Sequence, residues 1–158
     1  MAYQIDYAYT CHTGKVRTNN EDNFWCCGVR LPVHNQGVDG ILAGHTQHWQ
    51  LPVLAVFDGM GGESCGEMAA SAAVEALGGF YEENKKSLKK EPVVFLTGAC
   101  ANMNEAVCRT AGKIVSAAWE LRWHFCLSVK KRSMPVILGT VVFTAIFREN
   151  CSRYLRIM

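Results

Sequence analysis

The apolar residues of this chain change period near residue 64, and that change limits the folds open to it. Before it, the runs are short and strand-like. Residues 3–10 mix Tyr, Ile and Ala with polar positions, residues 23–31 (Asn-Phe-Trp-Cys-Cys-Gly-Val-Arg-Leu) form a second run, and Leu51 to Phe57 is a nearly all-apolar third. A run of that kind, bounded by Pro52 and Gly59, predicts a strand buried on both faces. Residues 32–50, rich in Gly, His, Asn and Gln, read as a long surface loop. After the change, Ala69, Ala72, Ala73, Ala76, Leu77 and Phe80 recur at helical spacing over Ser64 to Tyr81. Gly78-Gly79 is expected to fray that helix, and residues 82–91 to form a charged connector. Pro92 can open a second helix, with Leu96, Ala99, Cys100, Met103, Ala106, Val107, Ala111 and Ile114 as its apolar stripe. Residues 115–133 fit both periods. Residues 136–147 are rich in β-branched side chains and predict a core strand. Strands followed by two helices predict a layered mixed architecture.

Composition removes several alternatives. At 158 residues the chain suits one domain, and 49% apolar against 19% charged residues is the balance of a chain that buries a core. No run of about 18 apolar residues occurs, so no membrane-spanning helix is expected. Residues 1–6 lack a basic region followed by an apolar run, which predicts no secretory signal and a cytoplasmic location. The net charge of +2 does not argue for nucleic acid, and Lys130-Lys131-Arg132 reads as a solvated cluster. The charge is unevenly spread. Residues 1–84 hold three basic and ten acidic residues, whereas residues 109–158 hold nine basic and two acidic. The only aspartates are Asp6, Asp22, Asp39 and Asp58. Eight cysteines show no Cys-x-x-Cys pair and read as reduced thiols acting as small apolar residues. A zinc site drawn from Cys11, His12, Cys26, Cys27, His34, His45 and His48 would need four of them to converge, and His45-x-x-His48 lies in the Gly-rich stretch rather than on a helix.

Two stations carry the chemistry. The first is Val16-Arg17-Thr18-Asn19-Asn20-Glu21-Asp22-Asn23; the second is Val56-Phe57-Asp58-Gly59-Met60-Gly61-Gly62. In the second, a carboxylate ends an apolar strand and glycines follow at once, leaving room for an ion close to the main chain. In the first, an arginine, whose planar fork matches a pair of phosphate oxygens, precedes a Glu-Asp pair by four residues. Cations that activate water and a guanidinium that orients a phosphoryl group are the parts needed to hydrolyse a phosphate ester. Taken singly, each station reads equally well as a turn or a surface ion pair.

In this order and spacing, Val-Arg-x-x-Asn-Glu-Asp-Asn-Phe followed by Val-Phe-Asp-Gly-Met-Gly-Gly resembles the metal-dependent protein phosphatases of type 2C, in their bacterial form. A Gly139-Thr140 turn before Val-Val-Phe-Thr-Ala-Ile-Phe resembles that family's next motif, with Leu138 and Val141 in place of its Met and second Thr. The likeness spans residues 7–150. It implies an α+β fold, the N-terminal part of an α-β-β-α sandwich in which two antiparallel sheets are flanked by helices. It also implies hydrolysis of phosphoserine and phosphothreonine esters in a phosphorylated protein, using two Mg²⁺ or Mn²⁺ ions. Carried over, Asp58 bridges both metals, Gly59 lends its carbonyl oxygen, Glu21 holds one metal, Asp22 supports metal-bound water and Arg17 binds the substrate phosphate. Some eukaryotic relatives have His where this chain has Met60, which cannot donate a proton.

The resemblance also sets an expectation of incompleteness. The family's domain is considerably longer, and its later Asp-bearing motifs have no counterpart after Asp58. Residues 1–150 are therefore expected to form a partial phosphatase domain, and 151–158 a tail foreign to it, as in a truncated or frame-shifted coding sequence. Little or no activity is expected, as is an unpaired strand edge at the C-terminus open to association. The alternative is a non-catalytic fragment that binds a phosphorylated protein or another partner.

Overall fold

The computed structural model describes residues 4–60, 66–111, 119–131, 134–147 and 155–157. The strands are β1 (Gln4–Tyr9), β2 (Asn23–Cys26), β3 (Leu42–Gln47), β4 (Val53–Met60), β5 (Trp119–Lys131), β6 (Met134–Phe147) and β7 (Leu155–Ile157); the helices are α1 (Gly66–Lys90) and α2 (Pro92–Ala111). β1 and β3 form an antiparallel ribbon, and the others an antiparallel sheet in the order β2-β4-β5-β6-β7. The class is α+β, with two antiparallel sheets and two α-helices among the described residues.

The core lies between the helices and one face of the larger sheet. Trp25, Val53, Ala55 and Phe57 point toward the helices and pack with Ala73, Val74 and Leu77 of α1 and Phe95, Ala99 and Met103 of α2. Each large side chain buried there contributes roughly 1.5–3 kcal/mol. The alternate residues of β2 and β4 face the other way, where the ribbon lies: the rings of Tyr9 and Phe24 are 4.9 Å apart. β4 is consequently buried on one face only. Val53, Ala55 and Phe57 are buried while Val56 is 54% exposed, which corrects the expectation of a strand covered on both sides. The physical reason is the ribbon, which covers only part of the outer face.

Four other expectations change. The stretch 32–50 contains β3, because β1 needs a partner strand for its backbone groups. The helix does not fray at Gly78-Gly79 but runs on through Lys90, so residues 82–90 are helix and only Glu91 separates α1 from α2. Gly78 is present because Trp25 packs there: a Cβ would lie 2.7 Å from Trp25 Cζ3. The added turns are favoured by Lys89 and Lys90 at the negative helix end and by Lys85–Glu82 pairing at 2.6 Å. The ambiguous stretch yields β5, and Gly139-Thr140 falls inside β6 rather than in a turn before it. β6 pairs with β5 on one side and, over Phe143–Ala145, with β7 of the tail on the other; β2 and the short β7 are the edges of the larger sheet. Among the described residues no helix is long and apolar enough to cross a membrane.

Candidate functional site

The two stations meet because β2 and β4 are neighbours. Asn23 pairs with Phe57, so continuing the register one residue sets Asp22 opposite Asp58. β4 does not end at the carboxylate, as the sequence pattern predicts, but continues through Gly59 to Met60. Gly59 is buried against the first station and the start of α1: a Cβ there would strike the backbone carbonyl oxygens of Glu21 and Gly66. Gly66 opens the described part of α1, and the Glu21 carboxylate lies close to it, Oε2 being 3.1 Å from where a Gly66 Cβ would stand. A carboxylate is favoured at that positive helix end. Residues 61–65, including Gly61 and Gly62, lie outside the described residues.

Arg17 sits at the rim. Its Nη1 is 3.1 Å from Glu21 Oε2, and its side chain is 61% exposed against 25% for Glu21. This pair orients a guanidinium whose remaining donors face solvent, though such a half-exposed pair adds little to stability. Asp22 is half-buried, and that burial pushes its carboxyl above the usual range. The nearby charge of Asp58 pushes it the same way, while a hydrogen bond from the Gly59 N–H and the Arg17 charge pull it back. Arg17, Glu21, Asp22, Asp58 and Gly59 thus form one neighbourhood in three dimensions.

The raised Asp22 pKa fixes the sign of a pH effect. Stability contributed by its protonated form is fully present below the unfolded-state pKa and is lost as pH rises through the folded-state one. Asp22→Asn is therefore expected to be the more stable protein at neutral pH, by roughly 0.2–1 kcal/mol, the scale of a like-charge pair across strands. Urea denaturation of both proteins should show the gap closing in acid. A less stable variant at neutral pH would mean that the bond from Gly59 outweighs the repulsion.

Asparagines missed by the sequence reading hold this neighbourhood in place. Asn23, 1% exposed, accepts from the N–H groups of Phe24 (2.8 Å) and Leu31 (3.0 Å) and donates to the Leu31 carbonyl (2.9 Å). Asn20, 3% exposed, donates to Cys11 Sγ and to Asn35 Oδ1 and accepts from the Asp22 N–H at 3.2 Å. Asn19 accepts from the Asn35 N–H. The available signal was the Asn-rich run around Glu21-Asp22, since Asn side chains bond readily to nearby backbone. Arg30, which makes two bonds to Glu75 and lies 5.9 Å from the Trp25 ring centroid, ties the turn after β2 to α1.

A cavity of about 590 Å³ lies on the ribbon side of β2 and β4, walled by Tyr7, Tyr9, Phe24 and Val56, and reaches Asp22 and His12. The cysteines nearby hold their protons. Burial, and then the neighbouring Cys27, pushes the Cys26 thiol up to about 12.

The donor set can be tested against the expected pair of Mg²⁺ or Mn²⁺ ions. Asp22 and Asp58 supply two carboxylates and Gly59 a carbonyl, but the third carboxylate, Glu21, is engaged by Arg17. Among the described residues no three His, Cys, Asp or Glu side chains group as a metal site. Six or more oxygen ligands per ion are the rule for such hard cations. The described residues alone do not make a two-metal centre. No protein-family model matches the chain, and no curated protein matches it.

Proposed function

We propose that the chain carries the N-terminal half of the site of a metal-dependent protein serine/threonine phosphatase of type 2C, acting in the cytoplasm on phosphorylated proteins. The observation that carries this reading is the meeting of Asp22 and Asp58 where β2 and β4 pair, with Gly59 packed against Glu21 and Arg17 at the rim. Arg17 is the phosphate-gripping residue, held by Glu21. Asp22, Asp58 and the Gly59 carbonyl are the oxygen groups offered to Mg²⁺ or Mn²⁺, and further ligands are needed to complete two metal sites. On this reading the chain by itself turns over little or no substrate.

A second reading, a non-catalytic module that binds phosphoproteins, is favoured by the exposure of Arg17, whose free donors need no metal to meet a phosphate. A phosphothreonine peptide separates the possibilities. Both readings expect it to bind more tightly than its unphosphorylated form, and Arg17→Ala to lose that preference by about tenfold, the scale of a charged hydrogen bond. Equal binding of the two peptides would remove Arg17 from its role and both readings with it. Phosphate release with Mn²⁺ that Asp58→Asn abolishes would show an active site complete in this chain. Its absence alongside phosphate-dependent binding matches the incomplete site.

A further inference from the structure

The cavity on the ribbon side of β2 and β4 brings aromatic faces and negative charge together. Tyr7 and Tyr9 alternate along β1 with exposed residues, so both half-buried rings stand on one face of the ribbon, 6.4 Å apart and 27° from parallel. The aromatic row continues onto β2, where the Phe24 ring lies 4.9 Å from that of Tyr9. Asp22, two residues before Phe24, lines the same cavity. Asp58 adds a second negative charge, which acts on Asp22 more strongly than Arg17 does, and Arg17 is itself paired with Glu21. His12, also in the lining, accepts the Gly14 N–H at its Nδ1 (2.8 Å), the bond of an uncharged imidazole.

The volume, about 590 Å³, falls in the range of roughly 300–1,000 Å³ that small-molecule sites occupy. The lining selects among ligands. An anion would meet the Asp22 carboxylate, a neutral apolar molecule would leave that half-buried charge without a partner, and a bare metal ion would make no use of aromatic walls. An ammonium carried on an apolar body satisfies both parts, because ring faces attract a cation within about 6 Å and the carboxylate balances its charge. We propose that this cavity binds a small organic ammonium ion, its cationic head against the Tyr9 ring and the Asp22 carboxylate and its apolar body along Phe24 and Val56. Asp22 is shared with the phosphatase-type site, but Tyr9, Phe24 and Val56 are not, so binding here does not depend on that reading.

The test compares choline with 3,3-dimethylbutanol, its uncharged match with carbon in place of nitrogen, in NMR titrations of the full chain at mildly alkaline pH. Choline is expected to bind about tenfold more tightly, the scale of a cation held against a ring out of water. Benzyldimethyl(2-hydroxyethyl)ammonium, which adds an apolar body to the same head, should gain about tenfold more from the buried ring. Tyr9→Leu keeps an apolar wall without the ring face, and Asp22→Asn removes the charge. Each should cut the preference for choline over its match to about threefold or less, with circular dichroism checking that both variants are folded. Equal affinity for the matched pair in wild type, a preference that survives either substitution, no gain from the benzyl group, or no saturable binding of the cations would each overturn the assignment.

Discussion

Gly59→Ala is expected to lower the stability of the protein by about 3 kcal/mol or more, at the upper end of overpacking costs. The added methyl would meet main-chain oxygens on two sides, from Glu21 and from Gly66, and neither can rotate away as a side chain could. Relief requires moving the acidic segment, β4 or the start of α1, and each movement spreads the candidate site. For a chain of this size the melting temperature should fall by roughly 6–12 °C. Gly79→Ala is the control. No atom lies within 4 Å of a Cβ there, and the position is inside α1, so alanine should stabilise by about 0.5–1 kcal/mol. If both variants shift stability in the same direction, the close approach at Gly59 is not what that glycine serves.

Asn23→Ala should cost about 3 kcal/mol by a different route. The side chain fills three hydrogen bonds in a site only 1% exposed, and its loss strips partners from the Phe24 and Leu31 N–H groups and the Leu31 carbonyl. Backbone groups deprived of partners where water has poor access carry the desolvation penalty that makes such losses large. Asn23→Asp separates the parts: its oxygens still accept from the two N–H groups but nothing donates to the Leu31 carbonyl, so an intermediate loss is expected. Guanidinium denaturation of the three proteins measures this. A cost below about 1 kcal/mol for alanine would show that the loop after β2 holds its place without Asn23.

Much of the local structure was legible from periodicity. The helical stripe from Ala69 to Phe80 and the start of α2 at Pro92 both stand, as do β1, β2 and β4 in their approximate places. What misled were residues whose local preference was overruled by contacts distant in sequence. Gly78 looks like a helix end, yet its missing side chain admits the Trp25 ring. β3 lies in a stretch with turn-forming composition and becomes a strand because β1 offers it a ladder. Leu54 and Val56 looked like core residues, but they lie on the face of β4 away from the helices, and Val56 stays largely exposed.

The candidate site divides along the same line. Its residue types, Arg17, Glu21, Asp22, Asp58 and Gly59, and their order were readable from the chain, because a guanidinium, carboxylates and a bare backbone are chemical properties of the residues themselves. That Asp22 faces Asp58, that Gly59 packs between Glu21 and the start of α1, and that buried asparagines hold the acidic segment were decided by strand pairing. Register is set by the whole sheet through the burial of alternate side chains, and a slip of one residue would turn Asp58 to the opposite face. No short stretch of sequence contains that information, since it arises only when strands far apart in the chain commit to the same ladder.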